Sequence, residues 1–89
     1  MNAATREQLR LSLLRHLEAN PARFGLATTL LRSMCAAEGL PALTAAETEL
    51  ELEYLRGKGL VETPEKPISP ELRTWKITAT GRDFLAARE

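Results

Sequence analysis

The segment LTAAETELELEYLRGKGLVE, Leu43 to Glu62, decides the fold. It reads as a capped helix that ends in a glycine turn and runs into a strand. Thr44 and Glu47 have capping-box spacing: the threonine hydroxyl accepts from the Glu47 amide, and the glutamate reaches back to the Thr44 amide. Gly57 and Gly59 are expected to supply the positive φ that a helix end and a tight turn need. Leu60 and Val61 then open an extended run. The central letters, E-L-E-L-E-Y, alternate, and alternation is a strand signal. The cap, the helix-forming Glu and Leu residues and the glycine stop outweigh it and place a helix at 44–56.

Working outward, a short strand is expected at 60–62. Thr63 to Leu72 holds Pro64, Pro67 and Pro70. Proline cannot donate to a ladder, so this is a loop. A returning strand is expected at 73–77, with Trp75 and Ile77 on one face. Trp75 is the expected apolar anchor, with an indole N–H that needs one acceptor. Thr78 or Thr80 then caps a last helix at 81–88, anchored by Phe84 and Leu85. Upstream, Leu9, Leu13 and Leu17 recur every four residues, and Leu14 widens the stripe. That predicts a helix at 5–19, stopped by Asn20-Pro21. A second helix is expected at 24–37, closed by Glu38-Gly39-Leu40-Pro41. The order is α-α-α-β-loop-β-α, mainly α with small β, in one domain spanning 1–89. A third short strand is allowed before the third helix.

The chain has 89 residues and a formal net charge of zero. Attraction to nucleic acid or an anionic membrane must therefore be local. Charge falls in three bands: +3 over 1–34, −5 over 35–55 and +2 over 56–89. One cysteine, Cys35, excludes an internal disulfide, which fits a reducing compartment. No apolar segment follows the N-terminus as in a signal peptide, and no run has the length of a membrane span. The expectation is a soluble cytoplasmic protein without a membrane partner.

Two segments carry a resemblance to a known family. Tyr54-Leu55-Arg56-Gly57-Lys58-Gly59-Leu60-Val61-Glu62 resembles the end of the recognition helix and the first wing strand of MarR-like and PadR-like transcriptional regulators. Trp75-Lys76-Ile77-Thr78-Ala79-Thr80-Gly81-Arg82-Asp83-Phe84-Leu85 resembles the aromatic–x–aliphatic–Thr–x–x–Gly segment that closes their wing and starts the next helix. The resemblance implies a winged helix-turn-helix domain and double-stranded DNA as partner.

On a helical wheel, Thr48, Leu52 and Leu55 share the inward side of the third helix, and Leu50 and Tyr54 lie opposite, beside Glu47. In a DNA-binding winged helix that outer face enters the major groove, where basic and amide side chains are expected. Here it offers Leu, Tyr and Glu, and phosphates repel carboxylates. Two functions follow. The first is a DNA-binding regulator that uses Arg56, Lys58, Lys66, Arg73 and Lys76 around the wing; it comes first because winged helices so commonly bind DNA. The second is a protein-interaction module docking through Glu47, Leu50, Glu51 and Tyr54. Arg6, Arg10 and Arg15 form a weaker basic strip on the first helix. His16 lacks partners at ligand spacing, and Cys35 reads as a small buried hydrophobe. No catalytic residue, metal ligand or cofactor is expected.

Overall fold

Four helices and three short strands follow one another in the computed structural model, which describes residues 2–41, 43–64 and 73–88. In chain order they are α1 (Ala3–Ala19), β1 (Leu26–Ala27), α2 (Thr28–Ala37), α3 (Ala45–Gly57), β2 (Val61–Glu62), β3 (Thr74–Ile77) and α4 (Ala79–Ala86). The chain is mainly helical with a small antiparallel sheet, as its sequence predicts. β3 lies in the middle of the sheet, with β1 on one side and β2 on the other. Leu26 faces Trp75 and Ala27 faces Thr74, while Val61 faces Ile77 and Glu62 faces Lys76.

The sequence places the helices well and their starts less well. α1 begins two residues before the expected Thr5, because the Asn2 side chain accepts the Thr5 amide at 2.8 Å. Leu9, Leu13, Leu14 and Leu17 are its buried leucines, as the stripe predicts. The second helix starts at Thr28 and not at Phe24. Gly25 adopts φ +84°, and a Cβ there would sit 2.5 Å from the Trp75 carbonyl oxygen. Only glycine permits both the left-handed backbone and that approach. The chain thus enters the sheet at Leu26–Ala27 before it turns helical, so the third strand precedes α2, not α3.

α2 and α3 end in the same way. Gly39 (φ +87°) donates to Ala36 O at 3.0 Å, and Leu40 donates to Cys35 O at 3.4 Å. Gly59 (φ +75°) donates to Arg56 O at 2.9 Å, and Leu60 donates to Leu55 O at 3.0 Å. Both are Schellman closures, in which a left-handed residue satisfies the last carbonyls of the helix. Gly57 departs from expectation. It is the last residue of α3 and has no positive φ; Gly59 alone makes the turn.

The helices and the sheet bury one apolar cluster. α3 gives it Leu52 and Leu55, β2 gives Val61, and β3 gives Trp75 and Ile77. Trp75 is fully buried, and its indole N–H donates to Thr28 Oγ1 at 2.9 Å. The expected anchor thus has its acceptor at the first residue of α2. Thr78 caps α4 by accepting the Gly81 amide at 3.0 Å; Thr80, the other cap candidate, lies inside the helix. Thr63 and Pro64 leave β2 without regular structure, and the rest of the expected loop lies outside the described residues. Among the described residues, no helix is long and apolar enough to cross a membrane.

Candidate interaction surface

α3 presents one face to the core and one to solvent. Thr48, Leu52 and Leu55 are buried, in agreement with the wheel. Leu50 is 70% exposed and Tyr54, one turn on, 44% exposed. The helix is fixed at its start by a complete capping box. The Glu47 amide donates to Thr44 Oγ1 at 3.1 Å, and the Thr44 amide donates to Glu47 Oε1 at 3.0 Å. The Thr44 amide, and then its hydroxyl, hold the Glu47 carboxyl below the ordinary carboxylate range. Glu47, expected at a docking surface, thus has a structural task of its own.

The other glutamates of α3 are paired. Glu51 takes Arg10 Nε at 2.6 Å and Arg6 Nε at 3.4 Å, both from α1. Glu49 and Glu53 take Arg73 Nη1 at 3.1 and 2.6 Å. Glu53 also meets Arg56 Nη2 at 3.7 Å. Three of the five glutamates of the acidic band, Glu49, Glu51 and Glu53, are thus paired with arginines drawn from both basic bands. This pairing was missed in the sequence reading, although the complementary bands were a signal for it.

The same contacts decide the fate of the expected phosphate-binding residues. Arg56 and Arg73 are engaged with α3 carboxylates. Lys76 is half-buried on β3, in register with Glu62 on β2. Lys58, at the end of α3, is exposed and has no ion-pair partner among the described residues. Lys66 lies outside the described residues. Of the four candidates among the described residues, Lys58 alone is both exposed and without an ion-pair partner there.

Tyr54 is braced by cations. The Arg10 guanidinium carbon lies 3.6 Å from its ring centroid, and Lys58 Nζ lies 5.6 Å away. Cation–π contact at an exposed site contributes about 0.5–1 kcal/mol. It also holds the ring in one place, so Leu50 and Tyr54 offer a preset apolar pair.

A second group, on α1 and α2, escaped the sequence reading. Ser12 Oγ donates to Glu38 Oε2 at 2.5 Å, and His16 Nε2 lies 2.7 Å from Glu38 Oε1 without making a hydrogen bond. Ser12 Oγ is also 3.5 Å from Cys35 Sγ. Burial chiefly pushes the Cys35 thiol up, the Glu38 charge adds to this, and the Ser12 hydrogen bond opposes it. The thiol therefore stays protonated, which is not the state of a nucleophile. Its spacing, four residues from Ser12 to His16 and then a partner on the next helix, gave no recognisable motif. No group of three His, Cys, Asp or Glu side chains among the described residues is placed to hold a metal.

Comparison with family models, with curated proteins and with solved structures returns no match.

Proposed function

We propose that this chain is a winged-helix module that docks onto a partner protein through the outer face of α3, centred on Leu50 and Tyr54. The element order, with β3 between β1 and β2 and α3 leading into β2, supports the winged-helix reading. The docking reading rests on one observation: the arginines that would serve phosphates, Arg56 and Arg73, sit on α3 glutamates, while Leu50 is 70% exposed. DNA binding draws its energy from neutralising phosphates and releasing counterions. An arginine already neutralising a carboxylate must break that pair first. An exposed apolar pair on a rigid helix is, by contrast, a common anchor for a protein contact. The reading involves no catalysis and no cofactor. A cytoplasmic setting fits it, since Cys35 is a free buried thiol.

A second reading keeps double-stranded DNA as the partner, with Lys58 and Lys76 beside the wing as its contacts. Lys58 favours it, being exposed and without an ion pair among the described residues.

The test is a pair of measurements. Leu50→Asp should leave stability within about 0.5 kcal/mol of wild type, as for other exposed positions. A partner retained by the wild type and lost with Leu50→Asp supports docking; equal retention overturns it. In parallel, random duplex DNA is titrated at low and moderate salt. Salt-sensitive binding that disappears in the Lys58→Ala/Lys76→Ala double variant transfers the function to DNA.

A further inference from the structure

A cleft of about 380 Å³ opens between α1, the end of α3 and α4. Its apolar lining comes from Leu11, Leu14, Leu55, Leu60 and Phe84. Leu14, Leu55 and Leu60 are buried, while Leu11 and Phe84 are partly exposed and pack against the same core cluster. The leucines of the lining therefore form a prebuilt apolar recess backed by the core. The volume lies in the range of small-molecule sites, about 300–1,000 Å³, which are mostly apolar with a few convergent polar groups.

The polar groups of this cleft are mostly cationic. Arg10, Lys58 and Arg88 line it, against a single carboxylate, Glu7. Glu7 is already held by Arg88 Nη2 at 2.8 Å, and Arg88 in turn lies over Phe84, its guanidinium carbon 4.7 Å from the ring centroid. Arg10 is bound to Glu51 through Nε and stacks on Tyr54, another lining residue. That leaves one cation of the cleft, Lys58, without a carboxylate among the described residues. A ligand matched to this cleft has an apolar body and a single negative charge. A dianion such as a phosphate monoester would require a second unpaired cation.

We propose that the cleft binds a free medium-chain monocarboxylate, with its tail on the leucine lining and its carboxylate on Lys58 beside Tyr54. Lys58 donates to the carboxylate, while Arg10 and Arg88 stay on Glu51 and Glu7. The tail replaces water over Leu11, Leu60 and Phe84. This site shares Tyr54 with the docking face but does not rest on the docking reading, since it needs neither Leu50 nor a partner protein.

The test is titration of the ¹⁵N-labelled protein with octanoate, followed by amide shifts and by calorimetry. Shifts should concentrate at Leu11, Lys58, Leu60 and Phe84. Affinity should rise about fourfold per methylene from hexanoate to octanoate. Lys58→Gln should weaken octanoate about three- to tenfold and leave 1-octanol unchanged. Lys58 is exposed at the helix end, so that variant keeps the fold. Three results would overturn the proposal: no shifts at millimolar octanoate, octylammonium or 1-octanol binding as well as octanoate, or affinity indifferent to Lys58→Gln. Tighter binding at the same residues by an acidic peptide carrying a leucine anchor would also overturn it, and would make the cleft a protein-recognition site.

Discussion

Gly81 shows how a single missing side chain can fix the packing of a helix. It lies inside α4, where alanine is preferred over glycine by about 1 kcal/mol. A Cβ at this position would stand 2.2 Å from the Leu60 carbonyl oxygen and 2.7 Å from Ile77 Cγ1. The Leu60 carbonyl also accepts the Thr78 amide at 3.0 Å, so it cannot retreat without loss. Overpacking of this kind costs about 1–3 kcal/mol, which exceeds the propensity gain. Gly81→Ala should therefore lower the thermal midpoint, at about 4–8 °C per kcal/mol for a domain of this size. Gly39→Ala is the control. It meets nothing within 4 Å and carries only the strain of φ +87°, about 1 kcal/mol. A Gly81→Ala protein more stable than wild type would show that α4 can shift off Leu60. The need for glycine at 81 was legible as a motif, because Thr78-x-x-Gly81 belongs to the quoted resemblance. The need at Gly25 was not, because its partner, the Trp75 backbone, lies 50 residues away in the sequence.

Among the elements, α3 was the most legible. Its cap, its buried stripe and its exposed pair all lie within the helix itself, and local patterns report local contacts. Thr44→Ala removes the hydroxyl from the capping box and should cost about 1 kcal/mol, read from urea unfolding. The cap also titrates. Glu47 binds its proton less readily in the folded chain than in the unfolded one. It contributes stability above its unfolded pKa, and that contribution fades as pH falls through the lower folded value. Between about pH 5 and pH 3, wild type should lose urea resistance faster than Glu47→Gln. Parallel losses in the two proteins would mean that the carboxylate charge does nothing for the cap. β1 was the least legible element. Two residues have no periodicity to read, and Leu26 and Ala27 continue smoothly into the apolar pattern of α2. What makes them a strand is β3, which a local window does not contain.

Across the whole molecule, ion pairs tie α3 to its surroundings from both sides. Arg6 and Arg10 reach it from α1, and Arg73 reaches it from the start of β3. These pairs are partly exposed, so each contributes little by itself. Arg73→Ala, which frees Glu49 and leaves Glu53 only Arg56, should cost about 1 kcal/mol. That gap should narrow as salt rises, because exposed charges are screened. A gap unchanged by salt would assign the loss to the Arg73 guanidinium packed 5.4 Å from the Trp75 ring centroid. The charge bands were visible in the sequence, but their pairing spans 20 residues for Arg73–Glu53 and 41 for Arg10–Glu51, and only the fold brings them together. The central position of β3 also sets an order of events during synthesis. Until Thr74–Ile77 has left the ribosome, β1 and β2 have no strand between them and the core lacks its tryptophan. The helices α1, α2 and α3 precede β3 in the chain and until then lack the part of the core that the sheet supplies. The nascent chain therefore completes its fold only after β3 has emerged, and a ribosome stalled before that point holds a substrate for chaperones and proteases.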